Sequence, residues 1–193
     1  MRIHEVRAGE AVQREGCRLV PFATEHKIAS VGWALVEDER PGKFHPERAT
    51  ALGVPFGPLY GELQRGRGVT LPDGRRVEPA DVLDGARRGR RLVVTGDTRP
   101  CAATVEAARG ADLLIHDSTF GDAEAPRALE TLHSTAREAA RVAREAGVAR
   151  LLLTHLSTRY DRDTGTLLEQ ARPEFPGVEV ASDGLTLELP LPP

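Results

Sequence analysis

Cysteine is scarce in this chain. Cys17 and Cys101 are the two it has, too few and too far apart to frame a disulfide scaffold or a zinc knuckle. Long apolar runs are missing as well: no stretch approaches the roughly 20 residues of a membrane-spanning helix, and the opening MRIHEVRAGE lacks the apolar region of a signal peptide. There is no excess of positive charge either. Lys and Arg number 26 against 29 Asp and Glu, a net charge of −3, so any attraction for nucleic acid must come from a local patch. Repeats and low-complexity tracts are likewise absent. What remains is globular in texture, 40% hydrophobic and 28% charged over 193 residues, enough for one domain with a sizeable core. The expectation is a soluble, intracellular protein with no membrane contact.

The N-terminal part alternates as strands do, in RIHEVRA, CRLVPFA and SVGWALVE. From Asp38 to about Arg91 the chain becomes crowded with Gly, Pro and Arg and short of long apolar stretches. It reads as a long excursion or a linker, with LPDGRRV as a hairpin tip. After Arg91 the order is strand, loop, helix, repeated. LVVT (92–95) leads into GDTRP and a helix from near Cys101, and DLLI (112–115) leads into HDSTFGD. An amphipathic helix then follows in HSTAREAARVAREAG: Thr135 and Glu138 make a capping box, Ala136, Ala139, Ala140, Ala143 and Ala146 a small-residue stripe, and Gly147 the stop. RLLLT (150–154) is the next strand, a shorter helix covers about 165–171, and VEVASDGLTLELP closes as a hairpin. Alternating β and α predicts a layered α/β sheet.

Three of these strands run straight into polar residues. LVVT is followed by Asp97, DLLI by His116 and Asp117, and LLLT by His155. Loops at the carboxyl ends of strands converge over a rigid edge, which is where α/β proteins build sites. His133 sits just before the helix start at Ser134–Thr135, close to a positive dipole end. Aspartate and histidine suit zinc or manganese. A metal centre therefore competes with the plainer reading of packed strand-end histidines and a helix-capping aspartate. His4 and His45 carry no signal of either kind.

The motifs SVGWALVEDERPGKF, LGVPFGPLYGELQRG, VVTGDTRP, LLIHDSTF, HSTAREAA and LLLTHLSTRY, in this order, resemble ribonuclease Z, the zinc-dependent tRNA 3′-processing endonucleases of the metallo-β-lactamase superfamily. The likeness runs from about Gly16 almost to the C-terminus. It implies a metallo-β-lactamase-like αββα sandwich, of which these residues form mainly the second half, with an inserted tRNA-binding flexible arm over 38–78. By the resemblance, Asp97 bridges two zinc ions, His155 binds one and His26 the other. His133 assists proton transfer with Asp117 as its acidic partner; His116, from its place after a strand, reads instead as a packed supporting histidine. Arg159 lies near the cleavage site, and Gly57 and Pro58 belong to the arm's Gly-Pro motif. Lys43, Arg65 and Arg67 would meet phosphates, fixing orientation without reading sequence. The implied partners are precursor tRNA and a second copy in a homodimer, and the implied compartment is the cytoplasm.

The departures from the family are substantial. No His-x-His-x-Asp-His run and no Pro-x-Lys-x-Arg-Asn loop occurs in the 193 residues. Asp117 stands for the usual glutamate, Lys27 where glycine is common and Trp33 where tyrosine is common. A catalytic zinc normally takes about three protein ligands and a water, whereas His26, Asp97 and His155 supply two per metal with Asp97 shared. The expectation is a partial domain that leaves one apolar sheet face exposed, binds metal weakly and does not cleave alone. A tRNA-binding half without activity, or a phosphodiesterase of the same fold with a different substrate, are the alternatives.

Overall fold

The computed structural model describes residues 5–192. These divide into two compact units, a body reaching up to Glu37 and resuming from Arg90 to Leu191, and an excursion unit from Asp38 to Gly89.

The body is one seven-stranded sheet whose strands lie side by side in chain order. Its strands are β1 (Val12–Arg14), β2 (Cys17–Ala23), β3 (Val31–Glu37), β6 (Arg91–Val94), β7 (Leu113–Asp117), β8 (Leu151–Thr154) and β9 (Val178–Val180). The first three and β6 pair antiparallel, and β6 to β9 run parallel. Parallel neighbours need crossovers, which are supplied by α4 (Ala102–Ala108), by α5 (Ala125–Thr131) with α6 (Ala136–Ala146), and by α7 (Gly165–Ala171). In α6 the Thr135–Glu138 capping box forms and Gly147 ends the helix at φ 65°. Its alanines are buried, so the helix backbone lies close on the sheet with Val93, Leu114, Leu151 and Leu153 beneath. Gly32 in β3 stands opposite Phe22 in β2, whose ring occupies the space a side chain at 32 would need.

The opposite face of the sheet is also apolar. Leu19, Leu35 and Leu92 align across one register row, and Trp33, Val94 and Ile115 across the next. All six keep partial exposure, while the helices pack with residues of the first face.

Two strand expectations fail. The strand expected over residues 2–8 lies partly outside the described residues, as does His4. Its described part is not a strand: Arg7 and Glu10 close a turn at Gly9 (φ 87°), and the edge strand is β1. At the other end the SDG turn forms, with Leu185 N–H donating to Ser182 O, but the returning segment does not pair with β9. Arginine side chains take its carbonyls instead, Arg150 at Glu188 O and Arg90 at Leu189 O, both 3.0 Å.

The excursion unit is neither linker nor bare loop. It contains α1 (Pro46–Ala51), α2 (Pro58–Gln64), α3 (Pro79–Val82) and the hairpin β4 (Val69–Thr70) with β5 (Arg76–Val77), around a core of Ala49, Val54, Tyr60, Leu63, Val69 and Val82. Each helix opens on proline at its first position, where the missing N–H costs nothing. Gly57 caps α2 at φ 143°, a backbone region that side chains rarely enter.

His45 clips this unit shut. Its Nδ1 meets Glu47 and its Nε2 meets Asp84, both at 2.8 Å, with Arg48 3.6 Å from Asp84. Asp84 first, then Glu47, raise the His45 pKa above its usual value. A raised folded-state pKa stabilises below the unfolded value and is lost as pH rises through the folded one. The stability gap between wild type and His45→Gln should therefore be widest in mild acid and close above neutrality. Thermal melts of both proteins across pH measure it.

No helix among the described residues is long and apolar enough to cross a membrane.

Candidate metal centre

The sheet brings the site together by direction alone. The carboxyl ends of β6, β7 and β8 lie along one edge, with Asp117 paired to Thr154 in register. Beyond those ends come Asp97, Asp117 itself and His155. Because β3 runs antiparallel to β6, with Trp33 opposite Val94, the β2–β3 connection carrying His26 opens on the same edge. His133 arrives from the loop between α5 and α6.

The three imidazoles stand in a row. His26 meets His133 edge-on at 4.8 Å between centroids, and His133 stacks on His155 at 5.1 Å with 10° between planes. Potential ligand atoms of His26, Asp97 and His133 lie within 4.8 Å of one another, as do those of Asp117, His133 and His155. His155 Nε2 is 3.3 Å from Asp97 Oδ1, and both side chains are partly open, 47% and 41% exposed.

Each histidine has its Nδ1 engaged on the protein side. His26 Nδ1 donates to Leu132 O at 3.0 Å and His133 Nδ1 to Asp117 Oδ2 at 2.7 Å, while His155 Nδ1 lies within hydrogen-bond distance, 2.8 Å, of Thr119 Oγ1. At His26 and His133, whose partners can only accept, such hydrogen bonds fix the tautomer and leave Nε2 with its lone pair, as ligating histidines require. Two groups bound about 2.0–2.1 Å from a tetrahedral zinc stand roughly 3.3 Å apart, which matches the His155–Asp97 separation. The donor set fits zinc.

Asp117 holds the constellation from beneath. It is fully buried and accepts from Thr98 N–H (2.9 Å), Thr119 N–H (2.9 Å), Thr119 Oγ1–H (2.7 Å) and His133 Nδ1–H (2.7 Å). His116 beside it is also fully buried. Its Nδ1 donates to the Asp117 carbonyl at 2.7 Å, its Nε2 has no partner among the described residues, and burial pushes its pKa down, so it stays neutral.

Backbone strain and charge complete the frame. Among the described residues, Leu132 and His155 are the non-glycine residues with positive φ, 58° and 57°, a conformation that costs about 1–2 kcal/mol per residue. At Leu132 it aims the carbonyl at His26. Arg99, from the Asp97 loop, grips Glu138 through both nitrogens (2.8 and 2.6 Å) and donates to His133 O (3.0 Å), tying that loop to the start of α6. Neither Leu132, Arg99, Thr98 nor Thr119 carried a signal in the sequence read alone.

The RNA-facing candidates fall on other segments of the chain. Arg159 is exposed in a short turn, its side chain 3.4 Å from Ser157 Oγ. Lys43, Gly57, Pro58, Arg65 and Arg67 belong to the excursion unit, where Arg65 and Arg67 both bind Glu62. Arg67 first, then Arg65, hold the Glu62 pKa down to about 2.

Comparison with known proteins places this geometry. The β-lactamase superfamily domain profile matches residues 70–156. Ribonuclease Z of Myxococcus xanthus is 60% identical over 192 residues, 99% of this chain and 62% of that protein. Ribonuclease Z of Archaeoglobus fulgidus is 48% identical over 190 residues, 98% of this chain and again 62% of the relative. The chain thus spans about three-fifths of the length of these relatives. Among solved structures, the metallo-β-lactamase fold protein YhfI of Bacillus subtilis superposes with a TM-score of 0.59 at 19% identity, over 93% of this chain and 53% of that one. The short form of human tRNase Z gives 0.54 at 23% identity, over 93% and 46%. The chain is similar to proteins named ribonuclease Z over about three-fifths of their length, and its fold is that of the metallo-β-lactamase fold proteins.

Proposed function

We propose that this chain carries the tRNA-gripping unit and part of the two-zinc centre of an endonuclease that removes the 3′ trailer from precursor tRNA. The observation that carries the reading is the convergence of His26, Asp97, His133 and His155 on one strand edge, in a chain so close to proteins named ribonuclease Z. His26, Asp97 and His155 would hold the metal, which supplies Lewis acidity toward a phosphodiester and toward water. Asp117 orients His133 by taking its Nδ1 proton in a hydrogen bond, which leaves Nε2 as the atom to hand a proton to the departing oxygen. Arg159 would steady the phosphate chain near the mouth.

Two ligands per metal with one shared fall short of the usual three, so the reading includes a chain that does not cut alone. The remaining donors come from the part of the fold that the relatives carry in the other 38% of their length, here taken to cover the apolar face bearing Leu19, Trp33, Leu35 and Ile115. In the arm, the Glu62 pairs with Arg65 and Arg67 are exposed, and solvent screening leaves such pairs weak. RNA phosphates can therefore displace Glu62, and binding should weaken steeply with salt. A cytoplasmic homodimer, one copy gripping tRNA processed by the other, follows from the same reading.

The test compares the 193-residue chain with a protein that also includes the remaining region, as in the Myxococcus relative, on precursor tRNA bearing a 3′ trailer. The chain should shift the RNA without product; the longer protein should cut after the discriminator nucleotide and stop on chelation. Absence of any precursor binding by either would sink the reading. Replacing 38–89 by a short linker tests the arm. Glu37 N–H donates to Arg90 O at 2.9 Å and the two side chains pair, so the cut ends are already adjacent. The shortened longer protein should lose tRNA processing while keeping hydrolysis of a small phosphodiester.

A further inference from the structure

The turn that carries Arg159 is fastened at both ends. On one side Ser157 N–H donates to Thr119 O at 3.1 Å. On the other, the Tyr160 hydroxyl lies 2.9 Å from Gly121 N and 2.6 Å from Glu124 Oε2. All three partners belong to the segment that leaves β7. We infer that Tyr160 is a positioning residue: its hydroxyl clamps the Thr158–Tyr160 turn onto residues 121–124 and so fixes where the Arg159 guanidinium meets an RNA phosphate.

The direction of each hydrogen bond follows from the groups involved. A backbone N–H can only donate, so the phenolic oxygen accepts from Gly121, and its own proton goes to Glu124. A carboxylate acceptor makes that second bond roughly twice as strong as one between neutral groups. Burial first, then the bond to Glu124, raise the Tyr160 pKa, so the donor persists.

What the hydroxyl holds is itself rigid. Asp122 N–H donates to Gln170 Oε1 of α7 at 2.8 Å, and the Asp122 carboxylate accepts from Arg137 of α6 at 2.7 and 2.9 Å. Gly121 leaves room for the contact. Its φ of −91° suits any residue, but a Cβ there would stand 2.6 Å from the Tyr160 hydroxyl and 3.0 Å from Gln170 Oε1. Arg159 between the two fastenings is exposed and forms no ion pair with a described residue, meeting only Ser157 Oγ at 3.4 Å. On a fixed turn, binding a phosphate orders one side chain rather than a side chain and its loop, which lowers the entropy cost. The consequence for RNA rests on the proposed function; the clamp itself does not.

Two variants open the clamp from opposite sides. Tyr160→Phe removes the hydroxyl and keeps the ring; Gly121→Ala keeps the hydroxyl and displaces it. In the 15N-labelled 193-residue chain, the Arg159 amide should have an order parameter of about 0.85 in the wild type and fall toward about 0.6 in each variant. Gel shifts with precursor tRNA should show affinity about 3–10-fold weaker in each, and about 10-fold weaker in Arg159→Ala. Neither clamp variant should weaken Arg159→Ala further, because the hydroxyl acts through that guanidinium. In the longer protein the loss should appear in KM with kcat kept. A wild-type Arg159 amide that is already mobile overturns the inference even if neither variant folds. So do losses that add to that of Arg159→Ala, an Arg159→Ala that binds as the wild type does, or a fall in kcat at unchanged KM. Failure of both proteins to bind precursor tRNA, with the order parameters as stated, overturns the endonuclease reading and leaves the clamp standing.

Discussion

Replacing Asp117 by alanine should destabilise the body by about 3–5 kcal/mol, the range seen when one member of a buried charged network is removed. The carboxylate is 0% exposed and accepts four hydrogen bonds. Alanine leaves the N–H groups of Thr98 and Thr119 buried and unmatched, at about 1–3 kcal/mol each, and frees the Thr119 hydroxyl and the His133 ring to rotate. The asparagine variant separates charge from shape. It keeps one acceptor, but its NH2 must face either Thr98 N–H with His133 or the two donors of Thr119. Asp117→Asn should therefore fall between wild type and alanine in stability and disorder one side of the site. Urea unfolding curves give the free energies; for a chain of this size the alanine variant's Tm should drop by about 10 °C. A loss under about 1 kcal/mol would mean that burying this carboxylate costs nearly as much as its four bonds return.

That carboxylate also shows how far the sequence reads. Asp97, Asp117 and His155 were visible because each follows an apolar strand, and parallel pairing of β6, β7 and β8 makes strand ends coincide in space. His26 precedes its strand, and only the antiparallel turn of β3 against β6 brings it to the same edge; no local pattern announces that, and the resemblance alone pointed to it. Thr119 and the Leu132 carbonyl matter through loop conformation, a left-handed residue in one case and a hydroxyl between two rings in the other. Nothing in composition or period encodes either.

The fold divides the same way. β2, β3 and α6 were legible because alternation, a capping box and a stop glycine agree with one another there. The stretch from Asp38 to about Arg91 reads as an excursion or a linker because prolines such as Pro46, Pro58 and Pro79 look like turn punctuation, whereas each of these three starts a helix of four to seven residues. Helices that short give periodicity too little length to register. The closing hairpin failed for a tertiary reason: Arg90 and Arg150 compete for the carbonyls that a returning strand would have offered.

Zinc titration assigns the histidines their parts. Asp97→Ala should weaken binding by more than about 10–100-fold, the loss typical of disturbing a supporting group alone, because Asp97 is the carboxylate that both halves of the site approach. His133→Gln should change affinity by much less, since its proposed task is proton transfer, and the same variant in the longer protein should lose most of its cleavage rate. The geometry makes this a sharp choice: His133 ligand atoms lie within 4.8 Å of those of His26 and Asp97 and also of His155, so it could complete a ligand set on distance alone. Its Nδ1 bond to Asp117 suits either part, because a carboxylate behind an imidazole both strengthens a ligand and orients an acid. Competition with a chromophoric chelator, run on the wild type, Asp97→Ala, His155→Ala and His133→Gln, reads the outcome directly. Equal losses at His133 and Asp97 would move His133 from proton donor to ligand, and would raise the donors this chain supplies from three residues to four.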